Sequence, residues 1–163
     1  MVSWGMKMLI VGLGVLLGVS VTAVPALETI SAFNRKQEVA IGSQTIVAEV
    51  VSKPADREKG LSGRTHLSIN EGMLFAFETA GFHSFWMKGM QFPIDIIWVN
   101  NNRIVGITER VDPQIGIPES ALTVLNPPEP VTRVLELAAG RAHLLGAKVG
   151  DTFTVRPLAG RAQ

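Results

Sequence analysis

Residues 72–99, GMLFAFETAGFHSFWMKGMQFPIDIIWV, hold most of the aromatic side chains and set two charged residues, Lys88 and Asp95, among apolar neighbours. A polar group removed from water must find a partner or cost several kcal/mol, so these two charges are the first to explain. With a period of two, Ser84, Trp86 and Lys88 fall on one face of an extended segment and His83, Phe85 and Met87 on the other. Gly89 and Pro93 then interrupt the pattern before the β-branched run Ile94 to Val99. This predicts two antiparallel strands joined by a loop. Lys88 would close the first and Asp95 open the second, so a cross-strand ion pair is expected.

Downstream, Asn100-Asn101-Asn102 is a turn signal leading into a strand over Arg103 to Arg110, so a three-stranded meander is expected. Upstream, Glu38 to Ile41 and Gln44 to Val51 alternate about Gly42-Ser43, which predicts a hairpin. Pro54, with Asp56 and Glu58 behind it and Gly60 as a stop, marks a short helix. Arg64 to Glu71 reads as a loop and Met73 to Phe77 as a strand. Val111 to Pro130 carries five of the nine prolines and reads as a long loop packed over a sheet edge. Val131 to Leu137 returns as a strand. Gly140 to Leu145 fits a second short helix closed by Gly146, and Thr152 to Val155 is the last strand. The class is therefore α+β, mainly β.

The segments Gly72–Phe77, Ser84–Lys88 and Pro93–Ile96 resemble motifs of the DUF192 family, also called UPF0127. Arg57–Arg64, Val134–Gly140 and Gly150-Asp151 resemble further motifs of that family in the same order, so the likeness spans roughly Thr45 to Val155. It implies a compact, barrel-like antiparallel sheet with two short helices, and a family of small proteins without an assigned biochemical role. Gly89-Met90 stands where the family usually has Asn-Thr, and residues 111–130 lack the cysteines of many relatives.

Met8 to Val24 is an apolar run without charge after Lys7, with Ala23 and Ala26 as cleavage positions. At about 17 residues it suits either a signal peptide or a membrane anchor. We expect residues 1–26 to be this targeting segment, 27–37 a linker, 38–157 the domain and 158–163 a tail. The protein is thus expected to be periplasmic, secreted or membrane-anchored. Removing 1–26 takes away only Lys7, leaving 14 basic and 14 acidic residues. That balance argues against nucleic-acid binding, which requires a basic excess. The chain has no cysteine, so its core must hold without disulfides and lipid attachment to a thiol is excluded.

His66, His83 and His143 lack metal-ligand spacing, and His83 and Ser84 point to opposite strand faces, so neither a metal site nor a Ser-His pair is expected. No cofactor is implied and no residue is assigned a catalytic role. The candidate ligand-binding set is Arg64, Trp86, Lys88, Asp95 and Glu136. Trp86 offers a flat platform, Lys88 and Arg64 attract an anionic or hydroxyl-rich group, and the carboxylates orient the cations. This favours a non-enzymatic domain that binds a small polar ligand or envelope component. A second reading makes Asp95 and Glu136 the acid and base of a hydrolase acting on cell-wall or polysaccharide material. A third is a structural module whose proline-rich loop meets a partner. The bland alternative pairs Asp95 with Lys88, and Glu136 with Arg64 or Arg133, merely to fasten strand ends.

Overall fold

A computed structural model describes residues 36–158. The expected targeting segment, most of the linker and most of the tail lie outside the described residues. Strand β1 (Lys36–Ile41) turns at Gly42 into β2 (Gln44–Val51), as the alternation predicts. Helix α1 (Pro54–Lys59) starts on its proline and ends where Gly60 takes a positive φ of 48°. The N–H of Gly60 donates to the Asp56 carbonyl at 3.0 Å and closes the last turn. Strand β3 (Glu71–Gly81) follows.

Here the expectation of a purely antiparallel sheet is corrected, because β2 and β3 run parallel. Parallel neighbours need a crossover, which α1 and residues 60–70 supply. The expected hairpin between residues 84–88 and 94–99 is also absent. β4 (Phe85–Trp86) pairs instead with β7 (Val124–Leu125) in a separate two-stranded ribbon. β5 (Ile94–Asn100) pairs with β6 (Arg103–Val111) across the Asn turn and with β8 (Val131–Ala138) on its other side. The meander therefore reduces to the β5–β6 hairpin. Helix α2 (Arg141–Leu144) and β9 (Phe153–Pro157) complete the order β6-β5-β8-β3-β2-β1-β9.

The sheet curls into a half-barrel. Its edges meet at one corner, where Arg103 bridges Thr152 and the Phe153 N–H donates to the Asn102 carbonyl at 2.8 Å. Alternation along the strands divides the apolar residues between two faces. All seven strands contribute to one cluster, including Val39, Ile46, Leu74, Ile97, Ile104, Leu135 and Phe153, which makes it the inner face. The other cluster draws Met73, Phe75, Ile96, Trp98 and Val134 from the central strands. It takes Leu61, Met87 and Met90 from connections laid over them, and forms the outer face.

Phe85 anchors the ribbon to that outer face, meeting Phe75 edge-on at 4.8 Å and Trp98 at 5.7 Å. The alternation read from the sequence survives the change of partner. Met87 is buried, while Ser84, Trp86 and Lys88 are exposed. The loop 111–130 packs at its far end, where Pro127 is buried and Pro128 lies against Gly106. Its middle, with Ile115 and Ile117, stays exposed.

Candidate functional site

Asp95 and Glu136 sit one residue out of register on neighbouring strands, since Asp95 faces Leu137 and Ile96 faces Glu136. Directly opposed residues share a face and successive residues alternate, so the two carboxyls project from opposite sides of the sheet. The acid–base pair of the hydrolase reading does not form.

On the inner face Asp95 is fully buried and satisfied by backbone. Its Oδ1 accepts the N–H of Arg110 at 2.9 Å and its Oδ2 the N–H of Ala142 at 2.8 Å. Arg110 has a φ of 54°, next to the register shift between Ile94 and Ile96 in the β5–β6 ladder. The carboxylate thus ties the irregular end of that hairpin to α2. The expected Lys88–Asp95 ion pair is corrected: Lys88 stands on the ribbon side and its Nζ pairs with Glu119 at 2.8 Å. With both carboxyl oxygens bonded to backbone N–H groups, Asp95 does not depend on Lys88 for a partner.

On the outer face the row across β2, β3, β8 and β5 reads Glu49, Met73, Glu136, Ile96. Glu136 is therefore set between two apolar side chains, with 5% of its surface exposed. Its Oε2 has no hydrogen-bond partner. Neither expected arginine claims it. Arg64 bonds Glu49 at 2.7 Å, and Arg133 donates to the carbonyl of Asn101. Burial pushes the Glu136 carboxyl from an ordinary 4.5 up to about 8, against the opposing pull of Arg64. At neutral pH it is mainly the uncharged acid, able both to donate and to accept.

Glu136 lines a cleft of about 440 Å³ between α1, the loop 60–62, the end of β3 and the ribbon. That volume lies within the range of small-molecule sites, about 300–1,000 Å³. Phe75, Phe77, Phe82, Phe85 and Trp86 supply its aromatic lining. Of the cations around it, Arg57 and Lys88 are engaged, and Lys59 is exposed on α1. Arg57 donates to the carbonyls of Ser52 at 2.6 Å and Ala76 at 3.0 Å, and lies 5.0 Å over the Phe77 ring. His83 stacks on the same ring with centroids 3.6 Å apart, and Lys88 lies 5.2 Å from the Trp86 ring.

Of the five residues expected at a ligand site, Trp86, Lys88 and Glu136 thus come together in one cleft. Arg64 lines a neighbouring cleft of about 460 Å³, which shares Lys59, Gly60 and Ser62 with the first. Asp95 is on the other side of the sheet. Sequence reasoning missed Arg57, Phe77, Phe82 and His83 as lining. Arg57 and Phe77 stand inside quoted motifs, and Phe82 and His83 adjoin the Ser84–Lys88 segment, so motif membership and adjacency to the tryptophan were the available signals. Among the described residues, no group of three or more His, Asp or Glu is arranged to hold a metal ion, and no helix is long and apolar enough to cross a membrane.

A family model for DUF192, described as uncharacterized ACR, matches residues 37–155. The chain belongs to the DUF192 family. Two solved structures resemble this DUF192 domain. One is a candidate transcription regulator from Sinorhizobium meliloti 1021, 29% identical, with a TM-score of 0.66 over 74% of this chain and 93% of the other. The second is a protein of unknown function from Novosphingobium aromaticivorans DSM 12444, 32% identical, with a TM-score of 0.63 over 73% of this chain and 83% of the other. No curated protein matches the chain.

Proposed function

We propose that this DUF192 domain is a non-enzymatic receptor for a small polar ligand, bound in the cleft between α1, β3 and the β4–β7 ribbon. Glu136 carries the reading. A buried carboxyl oxygen without a partner costs about 1–3 kcal/mol, and a ligand seated above it would recover that cost. Phe82 and Trp86 add support, since they leave 66% and 43% of their surface exposed beside the same cleft. Large exposed aromatic groups beside a concave surface are a frequent mark of recognition.

The uncharged run Met8 to Val24 supports placing this receptor in the periplasm, outside the cell or on the membrane. Cell fractionation with N-terminal sequencing of the mature protein checks that placement. A cytoplasmic chain retaining Met1 would contradict it. The regulator described for the Sinorhizobium relative is not the reading we favour for this chain. The helices described here are six and four residues long, and the full chain carries a net charge of only +1, a poor match to a groove-reading helix and its basic surface.

A thermal-shift screen of sugars, amino acids and phosphates against wild type and Trp86→Ala tests the receptor reading. The expected result is at least one compound that raises the wild-type melting temperature and leaves that of the variant unchanged. Absence of any such compound would overturn the reading.

A further inference from the structure

Which chemistry the cleft accepts follows from its buried floor and its aromatic walls, and the inference rests on the receptor reading above. A site for an anion keeps cationic donors free to meet it. Beside the buried floor, Arg57 donates from Nη1 to two backbone carbonyls and Lys88 pairs with Glu119, while Arg64 in the adjoining cleft pairs with Glu49; the remaining lining cation, Lys59, is exposed on α1 next to the exposed Glu58 of opposite sign. A site that seats an ammonium group on its floor needs an ionised carboxylate there, but Glu136 stands between Met73 and Ile96, where a charge is poorly solvated, and the other lining carboxyl, Glu58, is exposed on α1. An alcohol fits what remains. Its hydroxyl donates or accepts as required, and it satisfies the orphaned Oε2 without bringing a charge into the apolar floor.

The walls add a second condition. Exposed Phe82 and Trp86 offer flat apolar faces to a ligand, and Lys88 over the indole helps to fix that ring. A compound carrying hydroxyls at its rim and C–H groups on one face meets both requirements. A pyranose ring is built in this way. We infer that the cleft recognises an uncharged saccharide unit, with one C–H face against Trp86 and one hydroxyl hydrogen-bonded to Glu136.

The test titrates the folded protein by calorimetry and by NMR of the Trp86 indole. The probes are neutral methyl pyranosides of the gluco, galacto, manno and N-acetylgluco series, with glucuronate and glucosamine as charged counterparts. At least one neutral probe should bind more tightly than both charged ones and shift the Trp86 indole signal. Glu136→Gln keeps a donor and an acceptor, and its affinity should stay within about threefold of wild type. Glu136→Leu should lose about 3- to 10-fold, the value of one hydrogen bond. Tighter binding of glucuronate or glucosamine, or neutral binding indifferent to Glu136→Leu, would overturn the inference and leave the receptor reading standing. So would failure of every pyranose while another screened compound still stabilises wild type over Trp86→Ala. If nothing in the screen stabilises wild type, both fall together.

Discussion

Glu136 and Asp95 are both carboxyls buried in one sheet, and their surroundings give them opposite work. Asp95 meets two backbone N–H groups, and accepting them compensates its loss of water. Asp95→Ala should therefore cost about 2–5 kcal/mol, because two buried donors lose their acceptor. Denaturant unfolding reads this, and a loss below about 1 kcal/mol would refute the structural role. Glu136 lacks such partners, and burial raises its pKa to about 8. Between about pH 4.5 and 8 the folded state holds a proton that the unfolded chain releases, so stability falls as pH rises through this window and levels off above it. In Glu136→Gln that contribution disappears. The stability difference, variant minus wild type, should grow from pH 5 to pH 9, and a pH-independent difference would contradict the account.

At the scale of elements, much of the domain was legible in the sequence where the signals are local. Gly42-Ser43, Pro54 with Gly60, and the Asn100–Asn102 turn each place a boundary through a nearby backbone requirement. The partner of β4 was not legible, because β7 lies about forty residues downstream inside a proline-rich loop that shows no strand periodicity. Alternation states which side chains share a face and is silent on the strand across from them. The parallel β2–β3 pair was hidden for the same reason.

Gly89 gives this scale its test. Its φ is 68°, and a Cβ there would come within 2.1 Å of the Ser62 Oγ, while its carbonyl accepts the Gly63 N–H at 3.0 Å. The loop after α1 is thereby pinned to the ribbon side of the cleft. Gly89→Ala should lower stability by about 1–2 kcal/mol through left-handed strain and crowding. Adding Ser62→Gly should restore the crowding share, and a double-mutant cycle with zero coupling would refute the contact.

Across the whole molecule the two sheet faces divide the labour. The inner face, fed by every strand of the large sheet, holds the half-barrel together, whereas the outer face leaves a cleft under a thin ribbon. The candidate set drawn from the sequence split along this line. Trp86, Lys88 and Glu136 fell on the outer side and Asp95 on the inner, because the pairing of Ile96 with Glu136 fixes which side each carboxyl takes. Only long-range register decides that, and it cannot be read from spacing along one strand. The account as a whole turns on an uncharged Glu136 waiting at the base of an open cleft. Side-chain carboxyl ¹³C NMR across pH 3 to 10, assigned by comparison with Glu136→Gln, measures this directly. The account predicts a titration midpoint near 8 for the ligand-free protein; a midpoint at the ordinary 4.5 would contradict it.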